Sequence, residues 1–168
     1  MPFVQGLATL GLMLRICVFI PLVFLAPILA LAGHSPPKIF FAVYVQTTGQ
    51  GLPPSEARPI QVPPDGQTIL IRALPEITEH DLIDVQEDSS GSVHFRFDHQ
   101  GQVDLSAVTA ENQGRILVVT LNGFVYFAPL IDEQITDGEL VVPHHLDPRI
   151  IQLLQGVAQA NVKAMKRQ

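Results

Sequence analysis

Histidine and aspartate are the residues of this sequence best suited to metal binding or proton transfer. His94 and Asp98 lie four positions apart in the alternating segment 92–98, whereas His144 and His145 are adjacent. Adjacent residues of an extended segment point to opposite sides, so a single ion would reach both only through a sharp turn. No histidine pair has helical ligand spacing, and the single cysteine is Cys17. We therefore expect solvated histidines, a surface pair of His94 with Asp98, and no metal site.

The serines and glycines give no constellation for nucleophilic or phosphate chemistry. None of Ser89, Ser90, Ser92 and Ser106 is flanked by the glycines of a nucleophile elbow. The segment 49–51 has two glycines but neither the phosphate-loop motif nor a following helix. The sequence thus predicts a non-enzymatic protein without a cofactor. The alternative is a protein with a catalytic or metal site, that is, a small hydrolase or metal protein built from His94, Asp98, His144 and His145.

Three aromatic residues are the best candidates for a binding role. Phe124, Tyr126 and Phe127 follow Asn122-Gly123, which separates two apolar runs. Asn-Gly is typical of a two-residue hairpin turn, since both residues tolerate positive φ. Alternation places Phe124 and Tyr126 on one face of the strand and Phe127 on the other. One face is then free to hold extended polypeptide, unless helices cover both faces and all three residues belong to the core.

The elements that must position these residues are read from hydrophobic periodicity. The predicted strands cover 39–45, 67–73, 82–85, 92–98, 115–121, 124–131 and 138–142. A helical turn is expected from Thr78 to Asp81, and a weak helix over 102–112 with Val103, Ala107 and Val108 on one face. The final helix begins with Asp147 as N-cap and a proline in the first turn.

Five prolines between residues 49 and 65 exclude a helix and a central strand, so this segment is predicted to be a long surface connection. Whether it folds over the sheet as a flap or forms a tether is left open by the sequence. The Asn-Gly hairpin requires antiparallel strands, and helices alternate with strands along the chain. The fold class predicted is α+β, one largely antiparallel sheet with helices packed on one face.

The N-terminal segment has the pattern of a secretory signal. Arg15 is its only charge, residues 16–32 are almost wholly apolar, and residues 30–32 are Ala-Leu-Ala. We expect cleavage after Ala32, with an uncleaved membrane anchor as the alternative, and therefore a periplasmic or secreted domain. Cys17 leaves with the signal, so stability must come from a core and not from a disulfide. The net charge of −6 argues against nucleic acid as a partner.

A series of short patterns runs from residue 74 to residue 131. They are Leu74-Pro75, Ile77-Thr78-Glu79-His80-Asp81-Leu82, Asp84-Val85, Phe95-Arg96-Phe97-Asp98, Val108-Thr109-Ala110-Glu111-Asn112-Gln113-Gly114-Arg115, Leu117-Val118-Val119-Thr120-Leu121-Asn122-Gly123 and Ala128-Pro129-Leu130-Ile131. In this order and spacing they resemble the periplasmic head of SecD-type protein-export subunits. The resemblance covers about residues 67–158, whereas the last helix corresponds in place and not in sequence.

The resemblance implies a head-like α+β fold over residues 67–168, preceded by a signal peptide at 1–32 and by an N-terminal strand with the proline-rich connection at 33–66. The family's six membrane helices, which couple proton flow to export, have no counterpart among these residues, so a proton-driven motor is not expected. The implied role is reversible contact with polypeptide, either an exported chain or an envelope protein. A dedicated partner or inhibitor subunit of one envelope protein is the second hypothesis.

Overall fold

The computed structural model describes residues 38–51 and 53–167. The predicted signal segment with Cys17 lies outside the described residues. Nine strands, two α-helices and two short 3₁₀ helices (Pro54–Glu56 and Glu79–Asp81) follow one another between these limits. The strands are β1 (Phe41–Val45), β2 (Ala57–Val62), β3 (Gln67–Arg72), β4 (Ile77–Thr78), β5 (Leu82–Glu87), β6 (Val93–Phe97), β7 (Leu117–Leu121), β8 (Phe124–Phe127) and β9 (Glu139–Val142). The helices are α1 (His99–Glu111) and α2 (Pro148–Met165).

All strand pairings in this part of the chain are antiparallel, and they form three hydrogen-bonded groups. The central sheet has the order β4-β1-β7-β8, the small sheet has the order β5-β6-β9, and β2 pairs with β3 in a hairpin. The predicted α+β class with antiparallel strands is confirmed. The strands separate into three groups because the central sheet and the small sheet face each other across a common core.

The main core lies between the central sheet, the small sheet and the two helices. Phe41 of β1 stacks on Phe95 of β6 with their ring centroids 5.0 Å apart. Leu105 of α1 and Leu154 of α2 are fully buried in the same cluster. Burial of such side chains contributes roughly 1.5–3 kcal/mol each, so this cluster is the principal source of stability in a domain without disulfides.

The β2–β3 hairpin covers the other face of the central sheet. Ile71 of β3 is fully buried against Val118 of β7, and the Arg58 guanidinium lies 4.6 Å from the centre of the Tyr44 ring. Strand β7 is consequently buried on both faces, which accounts for its continuous apolar run. The proline-rich segment is therefore not simply a connection, since it contains β2. Pro59 is tolerated because β2 belongs to a two-stranded hairpin and has a free edge.

Local sequence signals determine most helix boundaries. The Asp147 side chain caps α2 by accepting from the Arg149 N–H at 2.8 Å, as predicted. The Thr78 N–H donates to the Asp81 carboxylate at 2.8 Å, which completes the predicted helical turn at Glu79–Asp81. Helix α1 begins earlier than predicted, because the Asp98 side chain accepts from the Gly101 N–H at 2.9 Å.

The apolar face predicted for α1 is wrong in part. Val103 is 48% exposed and Ala107 is also exposed, whereas Leu105 and Val108 are buried. The buried face of the helix is narrow, and the polar Gln102 and Ser106 beside it contact a later segment of the chain.

Candidate functional site

The predicted pair of His94 with Asp98 does not form. Asp98 is occupied as the N-cap of α1, and His94 lies between two other carboxylates. Its Nδ1 pairs with Glu139 of β9, and its Nε2 lies 3.2 Å from Asp88 in the turn between β5 and β6. The arrangement joins that turn to the last strand and does not produce an acid–base dyad.

The charges of this cluster stabilise one another. The hydrogen bond to Glu139, followed by the one to Asp88, raises the pKa of His94 above its ordinary value. Hydrogen bonds from Ser90 and then from His94 hold the pKa of Asp88 well below its ordinary value. Hydrogen bonds thus join the His94 imidazole to one carboxylate in the turn and to a second carboxylate on β9.

His144 and His145 are not brought together with His94. The His145 Nδ1 lies 2.6 Å from Glu87, whereas the His144 ring meets the Phe127 ring edge-on at a centroid distance of 5.5 Å. No group of three or more potential metal ligands occurs within residues 38–51 and 53–167. The geometry thus gives no support to the alternative of a hydrolase or metal protein built from these histidines.

The Asn-Gly hairpin is confirmed, with φ of 50° at Asn122 and 83° at Gly123. Phe124 directly follows the turn and is 79% exposed. Strand β8 is the edge of the central sheet, so one side of its backbone is left unpaired by β7. Phe124 therefore presents a large apolar side chain beside an open strand edge.

Phe127 lies differently from the prediction, which placed it on the face opposite Phe124 and Tyr126. Tyr126 and Phe127 both contact the main core, whereas Val125 packs toward the β2–β3 hairpin. They share one face because the register of β7 with β8 shifts by one residue in this part of the strand. The Tyr126 hydroxyl donates to the His144 carbonyl at 2.9 Å. Burial, with a smaller effect of Glu87, raises the Tyr126 pKa and keeps this donor protonated.

A groove of about 640 Å³ begins where β8 ends. Its apolar lining includes Phe127, the buried Leu117 and Leu140, and the exposed Leu130 and Val141. Leu130 is 61% and Val141 is 44% exposed, so the apolar surface continues to the mouth of the groove. We refer to it as the β8–β9 groove; Phe124 lies at the other end of β8.

One wall of the β8–β9 groove is the segment 132–138, which side chains of α1 hold in place. The Ile135 N–H donates to the Thr109 hydroxyl at 3.0 Å, Gln134 donates to the Ser106 hydroxyl at 2.8 Å, and Gln102 donates to the Thr136 carbonyl at 2.7 Å. Residues 102, 106 and 109 recur at helical spacing. This polar stripe is the signal in the sequence that could have indicated the wall, and it was missed.

Backbone geometry leaves part of β9 free at this groove. The Phe97 N–H donates to the Gly138 carbonyl at 3.0 Å, so hydrogen-bonded positions of β9 alternate from Gly138 onward. The N–H and C=O of Val141 accordingly point away from β6. Strand β9 is the edge of the small sheet, and its free edge lies at the groove that Val141 lines.

Comparison with known families identifies the relatives of this domain. The family model of the SecDF P1 head subdomain matches residues 55–148, more than half of the chain. No curated protein sequence shows a significant match.

Two solved structures are similar in fold. One is of a membrane component, SecDF, that enhances protein export; it is 19% identical with a TM-score of 0.53, and the match covers 73% of this chain and 63% of that chain. The other is of SecDF in a super-membrane-facing form, 22% identical with a TM-score of 0.51, covering 72% of this chain and 18% of that one. This chain therefore spans less than two thirds of either. Within the described residues, no helix is long and apolar enough to cross a membrane.

Proposed function

The chain belongs to the SecDF P1 head subdomain family, and from this premise we propose that it binds polypeptide in the periplasm during protein export. The binding is non-enzymatic and needs no cofactor. Exported chains in transit are the ligands that fit this role, since they are extended and expose apolar side chains that a folded protein buries.

The observation that carries this proposal is Phe124, 79% exposed beside the open edge of β8. Large apolar side chains on a protein surface mark contact sites when they lie together. The exposed Leu130 and Val141 provide further apolar surface in the β8–β9 groove. An extended segment bound there would bury apolar side chains and complete the hydrogen bonds of a free strand edge.

The proposed binding is weak and reversible, in keeping with the shape of the site. The groove is open to solvent along its mouth and only a few of its apolar side chains are exposed. Standard stable interfaces bury about 800 Å² on each partner, more than a short extended segment can bury here. Tyr126 and Phe127 hold strand β8 in place, because both side chains pack against the main core.

Photocrosslinking in living cells tests the proposal. A photoreactive amino acid replaces Phe124, and captured proteins are identified by mass spectrometry. Leu74 is the matched control, because it is also 79% exposed but precedes β4 at the opposite edge of the central sheet.

The expected result is a ladder of diverse exported precursors from position 124 and little product from position 74. A single recurrent product from position 124 would favour the second hypothesis, a subunit dedicated to one envelope protein. Equal capture at both positions, or none, would contradict a binding site at β8.

A further inference from the structure

We propose that the β8–β9 groove selects polypeptide segments in which lysine or arginine alternates with apolar residues. This inference rests on the proposed polypeptide binding and specifies its ligand. It follows from the chemistry of the groove, which combines an apolar floor with a wall of one charge.

The charged residues that line the groove are all acidic. Asp132, Glu133, Asp137 and Glu139 line the groove, and no lysine or arginine does. Asp132, Glu133 and Asp137 form no ion pair within the described ranges 38–51 and 53–167, whereas Glu139 pairs with His94. Three carboxylates thus remain available to cations of a ligand. Like charges facing a cleft create a potential that attracts the opposite charge.

The carboxylates are held in position before a ligand arrives. The segment that contains Asp132, Glu133 and Asp137 is hydrogen-bonded to three side chains of α1. These are Gln102, Ser106 and Thr109. In addition, the Asp137 carboxylate accepts from the Glu139 N–H at 3.1 Å, which fixes the start of β9. A preorganised wall loses less conformational entropy on binding than a flexible one.

The free edge of β9 explains why an alternating ligand fits. A segment paired with Val141 adopts strand geometry, in which successive side chains point to opposite faces. One set of side chains can then contact the floor at Phe127 and Leu140, while the other set approaches the acidic wall. A ligand with apolar and basic residues at alternate positions satisfies both surfaces.

Fluorescence anisotropy with three labelled nine-residue peptides tests the inference on the purified full chain. The peptides alternate leucine with lysine, glutamine or glutamate. At low salt we expect the lysine peptide to bind roughly fivefold to tenfold more tightly than the glutamine peptide, and the glutamate peptide to bind least. The preference should decrease in ~0.5 M salt, because salt screens exposed charges.

The variant Asp132→Asn/Glu133→Gln locates the preference. It should remove most of the advantage that the lysine peptide has over the glutamine peptide in the wild type. The control Asp65→Asn/Glu111→Gln removes the same number of exposed carboxylates away from the groove and should leave the preference intact.

The outcomes separate this inference from the proposed function. Equal binding of all three peptides would overturn the charge selection and leave polypeptide binding standing. A lysine preference that survives in Asp132→Asn/Glu133→Gln would also overturn the inference, because the selection would then lie elsewhere. No binding of any peptide to the folded protein would overturn both proposals.

Discussion

At the residue scale, two helical glycines differ in their surroundings and predict opposite effects of the same change. A Cβ at Gly101 in α1 would come within 2.8 Å of the Phe97 Cβ and 3.0 Å of the Asp81 Cβ. A Cβ at Gly156 in α2 would meet nothing within 4 Å. Position 101 therefore requires glycine for close packing, whereas position 156 does not.

Gly101→Ala should lower the free energy of unfolding by about 1–3 kcal/mol, the usual cost of overpacking. Gly156→Ala should raise it by roughly 0.5–1 kcal/mol, since alanine favours the helix. Urea denaturation of both variants measures the two effects. Stabilisation by Gly101→Ala would show that α1 does not pack against Phe97 as described.

The His94 cluster predicts a dependence of stability on pH. The His94 pKa is raised in the folded state, so the stabilisation is fully present below the unfolded pKa of about 6.5. It is lost as the pH rises through the higher folded value. The Tm difference between the wild type and His94→Gln should be larger at pH 6 than at pH 9.

Thermal melts across that pH range check the prediction. His145→Gln is the control, because the His145 side chain is 81% exposed in its pair with Glu87 and exposed pairs contribute little. A Tm difference for His94→Gln that grows as the pH rises would have the wrong sign for this cluster.

At the element scale, the wall of the β8–β9 groove depends on α1. The Thr109 hydroxyl donates to the Leu105 carbonyl at 2.7 Å and accepts from the Ile135 N–H, and the side chain is fully buried. Thr109→Val leaves the Ile135 N–H without its acceptor and should cost about 1–3 kcal/mol. Hydrogen exchange should become faster in residues 132–138.

Thr109→Ser keeps the hydroxyl and removes only a methyl group. It should leave exchange in the wall near the wild-type rate, although it lowers overall stability somewhat through the small cavity. If both variants accelerate exchange equally, the hydrogen bond does not hold the wall.

The elements with local signals were predictable from the sequence. Helix α2 has its N-cap and the proline of its first turn, and the hairpin has an Asn-Gly turn that few other dipeptides form. The register shift in β8 was not predictable, because one extra residue in a strand leaves no mark in an apolar run. Strand β2 was missed because Pro59 is read as a breaker unless the strand is known to lie at an edge.

The sequence indicates the β8–β9 groove only indirectly, through the polar stripe at residues 102, 106 and 109 of α1. Residues 132–138 have no periodicity, and their position depends on side chains of α1 about thirty residues earlier in the chain. The sequence could indicate Phe124 as a candidate binding residue. That Phe124 is exposed, whereas Tyr126 and Phe127 contact the core, could be seen only from the packing.

At the scale of the whole molecule, binding and stability should be separable. Phe124→Ser should change the free energy of unfolding by less than about 0.5 kcal/mol, as is usual for exposed positions. It should nevertheless reduce binding of the lysine peptide, and Leu74→Ser should not. Anisotropy and urea denaturation on the same samples make the comparison. A large loss of stability in Phe124→Ser would mean that the side chain belongs to the core.

The order of strands in the central sheet has a consequence for how this domain is made. Strand β1 is the first of the nine strands, yet it lies between β4 and β7 in the sheet. The Phe40 N–H, just before β1, donates a hydrogen bond to the side-chain oxygen of Asn122, 82 residues later. Closing so long a loop is entropically costly and slows folding. Synthesis proceeds from the N-terminus, so β1 must stay unpaired with β7 until the β7–β8 hairpin has been made. The topology thus delays completion of the central sheet until most of the domain has been synthesised.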